Sequence, residues 1–421
     1  MMAAHLLRDR PHSPTEPLST FANTLWNAAG CFFYLGCQWA TTVLVVLLTS
    51  SYSDSGLLAF AMSIGNIFQS IALFKVRTYQ VSDIEYEFSF SDYVFFRFAS
   101  LAVAAFTAIT YLFVTTNGSD FILISLVYLL FKADESFVDV LHGTVQRHGR
   151  MDYIGKSQFL RGCATIVGFI CVLAITKNLF AAIIGMTVLC LCITVLYDRR
   201  NALLFESIGT SFEKDRLIAL GRACLLPMLA SLCANSIVSI ARQEYGLLQG
   251  EEMLGIYASI STPAVLIQVA ASYLYSPLYG KLAEALRDGG FAGFKHAFLK
   301  ILGIIVVIIS LLIALLSIFG SNLLVLVYGS TIVPYLSVFP LVLAMTGCMG
   351  VLFYVNDMLI VAREGAVQLV SNAIALIVTV VAVPILIERI GMNGINVGAM
   401  AGISVAIAIG LIRILTERDR S

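Results

Sequence analysis

Ionised side chains are scarce in this chain of 421 residues. Asp, Glu, Lys and Arg together make up 12% of it, about half the roughly 25% of an average soluble domain, which excludes a water-soluble globule. The 26 basic residues balance 26 acidic ones, so the basic surplus that nucleic-acid binding requires is missing. Signatures of hydrolytic and metal chemistry are absent as well. There is no Walker-type phosphate loop, no HExxH, no paired CxxC and no GxSxG with partners in reach, which argues against ATP hydrolysis and assigns no cofactor or metal. Cys31, Cys37, Cys163, Cys171, Cys190, Cys192, Cys224, Cys233 and Cys348 lie in apolar runs without ligand spacing and read as small buried hydrophobes. His142 and His148, flanking a short polar break, read as solvated interface residues rather than catalysts. Beyond the N-terminal tail the first half has no proline, whereas Pro227, Pro263, Pro277, Pro334, Pro340 and Pro384 all belong to the second.

What is abundant is apolar side chain: 59% of the residues, enough for about twelve bilayer crossings of roughly 20 residues each. Long apolar runs predict helices near 22–49, 55–74, 93–115, 121–141, 157–176 and 180–198, then near 218–240, 254–277, 297–319, 336–358, 367–387 and 395–415. With the N-terminus inside, nineteen Lys and Arg residues fall in the inner segments. Only Lys177, Arg242 and Arg389 fall outside, which fixes the orientation with both termini cytosolic. The expected organisation is a cytosolic tail (1–21), a six-helix lobe (22–198), a cytosolic linker (199–217), a second six-helix lobe (218–415) and a short cytosolic tail (416–421). The fold class is therefore all-α and polytopic, two six-helix lobes around a central cavity. Outer loops are short, which leaves no room for an extracytoplasmic catalytic domain.

Polar residues inside apolar helices are costly and tend to face the bundle interior or a wet cavity. The fourth predicted helix carries FKADESFVDVLHGTVQ, which sets Lys132, Glu135, Asp139, His142 and Gln146 at steps of three or four on one face, with Asp134 projecting elsewhere. One lysine cannot balance Asp134, Glu135 and Asp139, and Arg97 and Arg161 on the flanking helices are the nearest compensating charges. Lys132 and Glu135 fit either a structural ion pair or a cavity lining. Arg97, Arg161 and Arg222 lie about one turn inside the cytosolic helix ends; each reaches the headgroups by snorkelling, or together they form a cationic ring for an anionic headgroup. Uncharged stripes run along the first helix (Asn23, Asn27, Tyr34, Gln38), the second (Ser63, Asn66, Ser70), the seventh (Ser231, Asn235, Arg242) and the eighth (Gln268, Ser272, Ser276). They serve either as interhelix hydrogen-bonding glue or as a sugar-binding seam. Pro227 removes a backbone hydrogen bond within the seventh helix and predicts a kink, static or hinged.

The runs FKVRTYQVSDIEYEFSFSDYVFFR (Phe74 to Arg97) and FKADESFVDVLHGTVQRHGRMDYIGKSQFLRG (Phe131 to Gly162) resemble Wzx-type polysaccharide and O-antigen flippases, of the MATE-like multidrug/oligosaccharidyl-lipid/polysaccharide exporter superfamily. The resemblance spans roughly residues 20 to 175. It implies a transporter, not an enzyme, that moves undecaprenyl-diphosphate-linked oligosaccharide from the inner to the outer leaflet of a bacterial cytoplasmic membrane by alternating access. It further implies coupling to H+, Na+ or the membrane potential, a product handed to polysaccharide polymerase machinery, and basic cavity residues that hold the diphosphate. Arg97, Lys132, Arg161 and Arg222 are the matching positions here. Lipid II flippases carry arginine on the first helix, where this chain has Asn23 and Asn27. A membrane-embedded glycan polymerase or acyltransferase, and a cation-coupled drug or metabolite exporter with Glu135 and Asp139 as coupling carboxylates, are the alternatives.

Overall fold

A computed structural model describes residues 18–49, 51–83, 87–116, 118–209, 213–268 and 279–416. Among them there is no strand. The first six long helices run where the apolar pattern predicts them: α1 (Thr20–Thr49), α2 (Tyr52–Leu73), α4 (Phe90–Thr115), α5 (Ser119–Arg147), α6 (Met151–Thr176) and α7 (Leu179–Ile193). A short α3 (Val76–Ser82) follows α2, and α7 continues through a π-helical turn, Thr194–Asp198, into α8 (Arg199–Ala202). Then come α9 (Lys214–Gln249), α10 (Glu251–Ser261) with a 3-10 turn Thr262–Ala264, and α11 (Tyr279–Tyr328). A 3-10 segment (Ser330–Val338) leads to α12 (Phe339–Val361), α13 (Gly365–Ile390) and α14 (Asn393–Thr416). Within α11, Gly290 takes φ 59° and ψ −162°, a conformation open only to glycine, and the bilayer-length helix begins there. Ser272, Ser276 and Pro277 lie outside the described residues.

Ten of these helices are long and apolar enough to cross a bilayer. The two other expected crossings have different reasons for falling short. α5 is 29 residues long, about 43 Å at 1.5 Å per residue, but its charged residues lower its hydropathy. The described part of the eighth crossing ends at residue 268. The chain is an all-α polytopic membrane protein.

Two compact units form. The first contains the described residues up to Thr41, Ile71–Ile109 and Val127–Cys224; the second contains Thr42–Ser70, Thr110–Leu126 and everything described from Leu225. In the first unit α1 crosses α6 at a glycine pair, where a Cβ on Gly30 would overlap the Gly155 carbonyl and a Cβ on Gly155 would overlap the Trp26 carbonyl. Missing side chains let the two backbones touch, which is how helices associate where lipid offers no hydrophobic drive. The second unit uses the same device between α2 and α10, with Gly56 against Glu251 and Gly255 against Tyr52.

Between α2 and α3 the chain turns on two adjacent left-handed residues, Phe74 (φ 49°) and Lys75 (φ 56°). For L-residues this conformation costs about 1–2 kcal/mol each, and the docking of α3 on α5 offsets it. Val76 and Gln80 are fully buried there. The Gln80 amide donates to Thr144 Oγ1 at 3.0 Å and to the Val140 carbonyl at 3.3 Å, over Gly143, where any Cβ would strike Gln80 Oε1. The following loop is pinned by Asp83, whose carboxylate accepts from the N–H groups of Glu87 (2.9 Å) and Phe88 (3.1 Å) and from the Tyr93 hydroxyl (2.8 Å), with Arg147 Nη2 at 3.3 Å. Burial by itself raises the Asp83 carboxyl, but those donors and Arg147 outweigh it and hold the group below the usual carboxylate range.

A candidate polar site on helix α5

α5 is the electrostatic hub of the first unit. Asp134 and Glu135 are adjacent in sequence and so point about 100° apart on the helix, whereas Asp139 returns to within about 40° of Glu135. Each of the three carboxylates meets a cation.

Glu135 Oε2 pairs with Lys132 Nζ at 2.7 Å, both side chains 11% exposed. Its other oxygen accepts from the Tyr34 hydroxyl of α1, to which Gln38 Nε2 donates at 2.8 Å. Asp134 Oδ2 lies 2.7 Å from Arg161 Nη2 of α6, and Asp134 Oδ1 accepts from Thr194 Oγ1 at 2.7 Å. Thr194 in turn receives Arg161 Nη1 at 2.9 Å. The π-helical turn places this threonine, since the extra residue per turn rotates Thr194 and Asp198 relative to a regular α7. Asp139 Oδ2 lies 2.8 Å from Arg97 Nη2 of α4, and Arg97 also donates to the Ala72 carbonyl. Arg97 and Arg161 are essentially inaccessible, so the compensation anticipated for the excess acid of α5 is realised through them.

Arg77 of α3 brings an additional cation. Its Nη1 is 3.3 Å from Asp139 Oδ1, with Arg77 29% and Asp139 18% exposed, and its Nε and Nη2 donate to Gln146 Oε1 at 3.0 and 2.7 Å. One carboxylate, Asp139, thus faces two guanidiniums, and a partly exposed positive surplus results. The sequence reading treats Arg77 as an inner-segment residue. The reversal at Phe74 and Lys75, which folds α3 back onto α5, is what brings it in.

The other anticipated residues fall in several settings. Asn23 is buried and its amide donates to the Gly149 carbonyl and, at 3.2 Å, to that of Leu18, tying α1 to the α5–α6 turn. Asn27 is half-buried and its Oδ1 lies 3.7 Å from Cys31 Sγ. Asn66 is exposed, and in the second unit Asn235 Nδ2 donates to Ser70 Oγ at 3.0 Å. Arg222 is exposed on α9, which suits a snorkelling side chain. Pro227 lies inside α9, which continues to Gln249. One reading changes. His142 is not solvated: it is buried, its Nε2 is 3.0 Å from Asp198 Oδ1, and the π-helical turn supplies that partner. Arg242, counted with the outer residues and set on the seventh-helix stripe, lies near the end of α9, which runs nine residues past the apolar stretch that ended at 240. Of the thiols, Cys37, Cys190 and Cys224 are buried as expected, but Cys171 and Cys192 are exposed.

No family model matches this chain, and no curated protein sequence matches it. Its fold is that of solved MATE transporters. A multidrug resistance MATE family transporter of the MOP superfamily in an inward-facing conformation is similar with a TM-score of 0.66 at 14% identity, over 90% of this chain and 94% of that one. MATE in complex with MaL6 gives 0.64 at 16% identity over 99% of both chains. A mutant of the Vibrio cholerae MATE transporter VcmN gives 0.63 at 13% identity over 94% and 95%. The all-α, two-lobed fold of those proteins is thereby shown for this chain.

Proposed function

We propose that this chain moves an undecaprenyl-diphosphate-linked oligosaccharide, the repeat unit of a surface polysaccharide such as O-antigen or capsule, from the inner to the outer leaflet of a bacterial cytoplasmic membrane by alternating access. The observation that carries this reading is the charge balance around α5. Asp134, Glu135 and Asp139 are each committed to a cation, and Arg77 adds a partly exposed positive charge beside Asp139. A cationic substrate needs an uncommitted carboxylate, whereas an anionic linker is drawn to a guanidinium surplus. Carrying sugars and a charged linker past about 30 Å of hydrocarbon also requires a polar lining open to one side at a time. Tyr34, Gln38 and the Lys132–Glu135 pair offer hydroxyl, amide and charged groups of that kind.

On this reading the termini are cytosolic and the chain works as a transporter without a cofactor. An ion gradient (H+ or Na+) or the membrane potential drives it, and the flipped product passes to polymerase machinery. The test is a strain whose only copy carries Lys132→Ala or Arg77→Gln. Complete lipid-linked repeat units are expected to accumulate on the cytosolic leaflet while the protein persists in the membrane. Wild-type glycan export in both strains would overturn the proposal.

A second reading, cation-coupled export of a drug or metabolite with Glu135 and Asp139 as coupling carboxylates, is favoured by the likeness to multidrug transporters. Altered drug susceptibility in the same strains, with glycan export intact, would select it.

A further inference from the structure

The cations of α5, α4 and α6 all face carboxylates, whereas the second unit holds a half-buried arginine that does not. Arg242 is half-buried on α9, and among the described residues it has no acidic partner. Its guanidinium carbon lies 5.8 Å from the centre of the Tyr257 ring of α10. Its Nη2 reaches Ser261 Oγ only at 3.4 Å, and its Nε is buried without an acceptor. Tyr257 is fully buried and donates its hydroxyl to Asn396 Oδ1 of α14 at 2.8 Å, which leaves the buried Asn396 Nδ2 without an acceptor as well. Ser261 donates its own proton to the Ala258 carbonyl at 3.0 Å. The cluster therefore has donors to spare and one uncompensated positive charge. A planar guanidinium lying over an aromatic ring is held in orientation and keeps its remaining N–H groups for a forked acceptor. The complementary ligand is an anion with several oxygens on one centre, which describes a phosphoryl group.

We infer that Arg242, seated on Tyr257, binds a phosphoryl anion, and that in the proposed transport reaction, on which this assignment rests, the anion is the diphosphate linker of the carried lipid. Arg242 lies near the outer end of α9 in the orientation set by the basic residues, so this contact belongs to the later, outward part of the passage.

The experiment uses the full chain purified in detergent and titrated with farnesyl diphosphate, farnesol and inorganic diphosphate, with binding read by thermal shift. Farnesyl diphosphate is expected to stabilise the wild type and farnesol to leave it unchanged. Arg242→Gln should weaken farnesyl diphosphate binding at least about tenfold, and Arg242→Lys, which keeps the charge but loses the fork, should fall between the two. Equal binding by wild type and a well-folded Arg242→Gln overturns the site, as does a wild type that binds neither diphosphate. Arg242-dependent binding of inorganic diphosphate as tight as that of the prenyl form supports an anion site and overturns its assignment to a lipid linker. Glycan export separates the two levels. Normal export with Arg242→Gln, together with lost export in Lys132→Ala, discards Arg242 and leaves the transport reading standing, whereas normal export in both removes the transport reading.

Discussion

Replacing Arg161 with Met tests whether the α5 lattice is held by charge pairing or by packing alone. Arg161 is 1% exposed and Asp134 4%. The pair is bridged at 2.7 Å and shares Thr194, so removal of the guanidinium leaves a carboxylate buried among groups that were arranged for a charged partner. Deleting one member of a buried pair costs about 3–5 kcal/mol, while replacing both members with apolar residues of similar volume is close to neutral. Arg161→Met is therefore expected to lose about 3–5 kcal/mol and Asp134→Leu a similar amount. The double variant should lie far above the sum of the two losses, with a coupling energy of at least about 2 kcal/mol. Unfolding in mixed micelles titrated with SDS and followed by helical circular dichroism measures all four corners of the cycle. Arg216→Ala is the control. Its pairing with Asp92 at 3.3 Å is made by a side chain 46% exposed, and the unfolding midpoint should not move. An additive cycle, or an Arg161→Met protein as stable as the wild type, would refute the view that α5 is held by matched charges and would reopen Arg161 as a substrate contact.

Gly30→Ala forces a methyl group into the Gly155 backbone and should cost about 1–3 kcal/mol as overpacking; an unchanged unfolding midpoint would show that the α1–α6 crossing is not as close as described. Because its pKa is lowered in the folded chain, Asp83 contributes stability that is complete above the usual aspartate value of about 3.9 and is lost as pH falls below it toward the folded value. Asp83→Asn should accordingly be less stable than wild type at pH 7 and show a flatter decline between about pH 5 and 3; parallel pH profiles would count against this. Pro227→Ala restores a backbone donor within α9, and reduced export with normal protein levels is expected if bending there serves transport, whereas unchanged export marks a static kink. Arg77→Gln, at a side chain that is 29% exposed and not enclosed, should preserve folding while reducing export, in contrast to Arg97→Gln, where loss of the folded protein is expected.

How much of this was legible in the chain follows from which forces are local. Apolar run length and the sidedness of Lys and Arg act through the bilayer itself, so the sequence alone determined the helices, their spacing and the all-α polytopic class. Helical spacing likewise put Lys132, Glu135 and Asp139 on one face of α5 and turned Asp134 away, and charge counting singled out Arg97 and Arg161 as the balancing cations. Tertiary structure decided which cation meets which acid, because that depends on where neighbouring helices pass one another: Arg97 faces Asp139, and Arg161 faces Asp134. It alone buried His142 against Asp198, since a single extra residue in one helical turn has no compositional signature. It alone recruited Arg77, through a left-handed reversal at Phe74 and Lys75 that neither side chain favours by itself and that only the docking of Gln80 on α5 sustains. A helix that extends beyond its apolar stretch explains Arg242, because hydropathy marks where lipid ends while hydrogen bonding between backbone groups carries α9 farther.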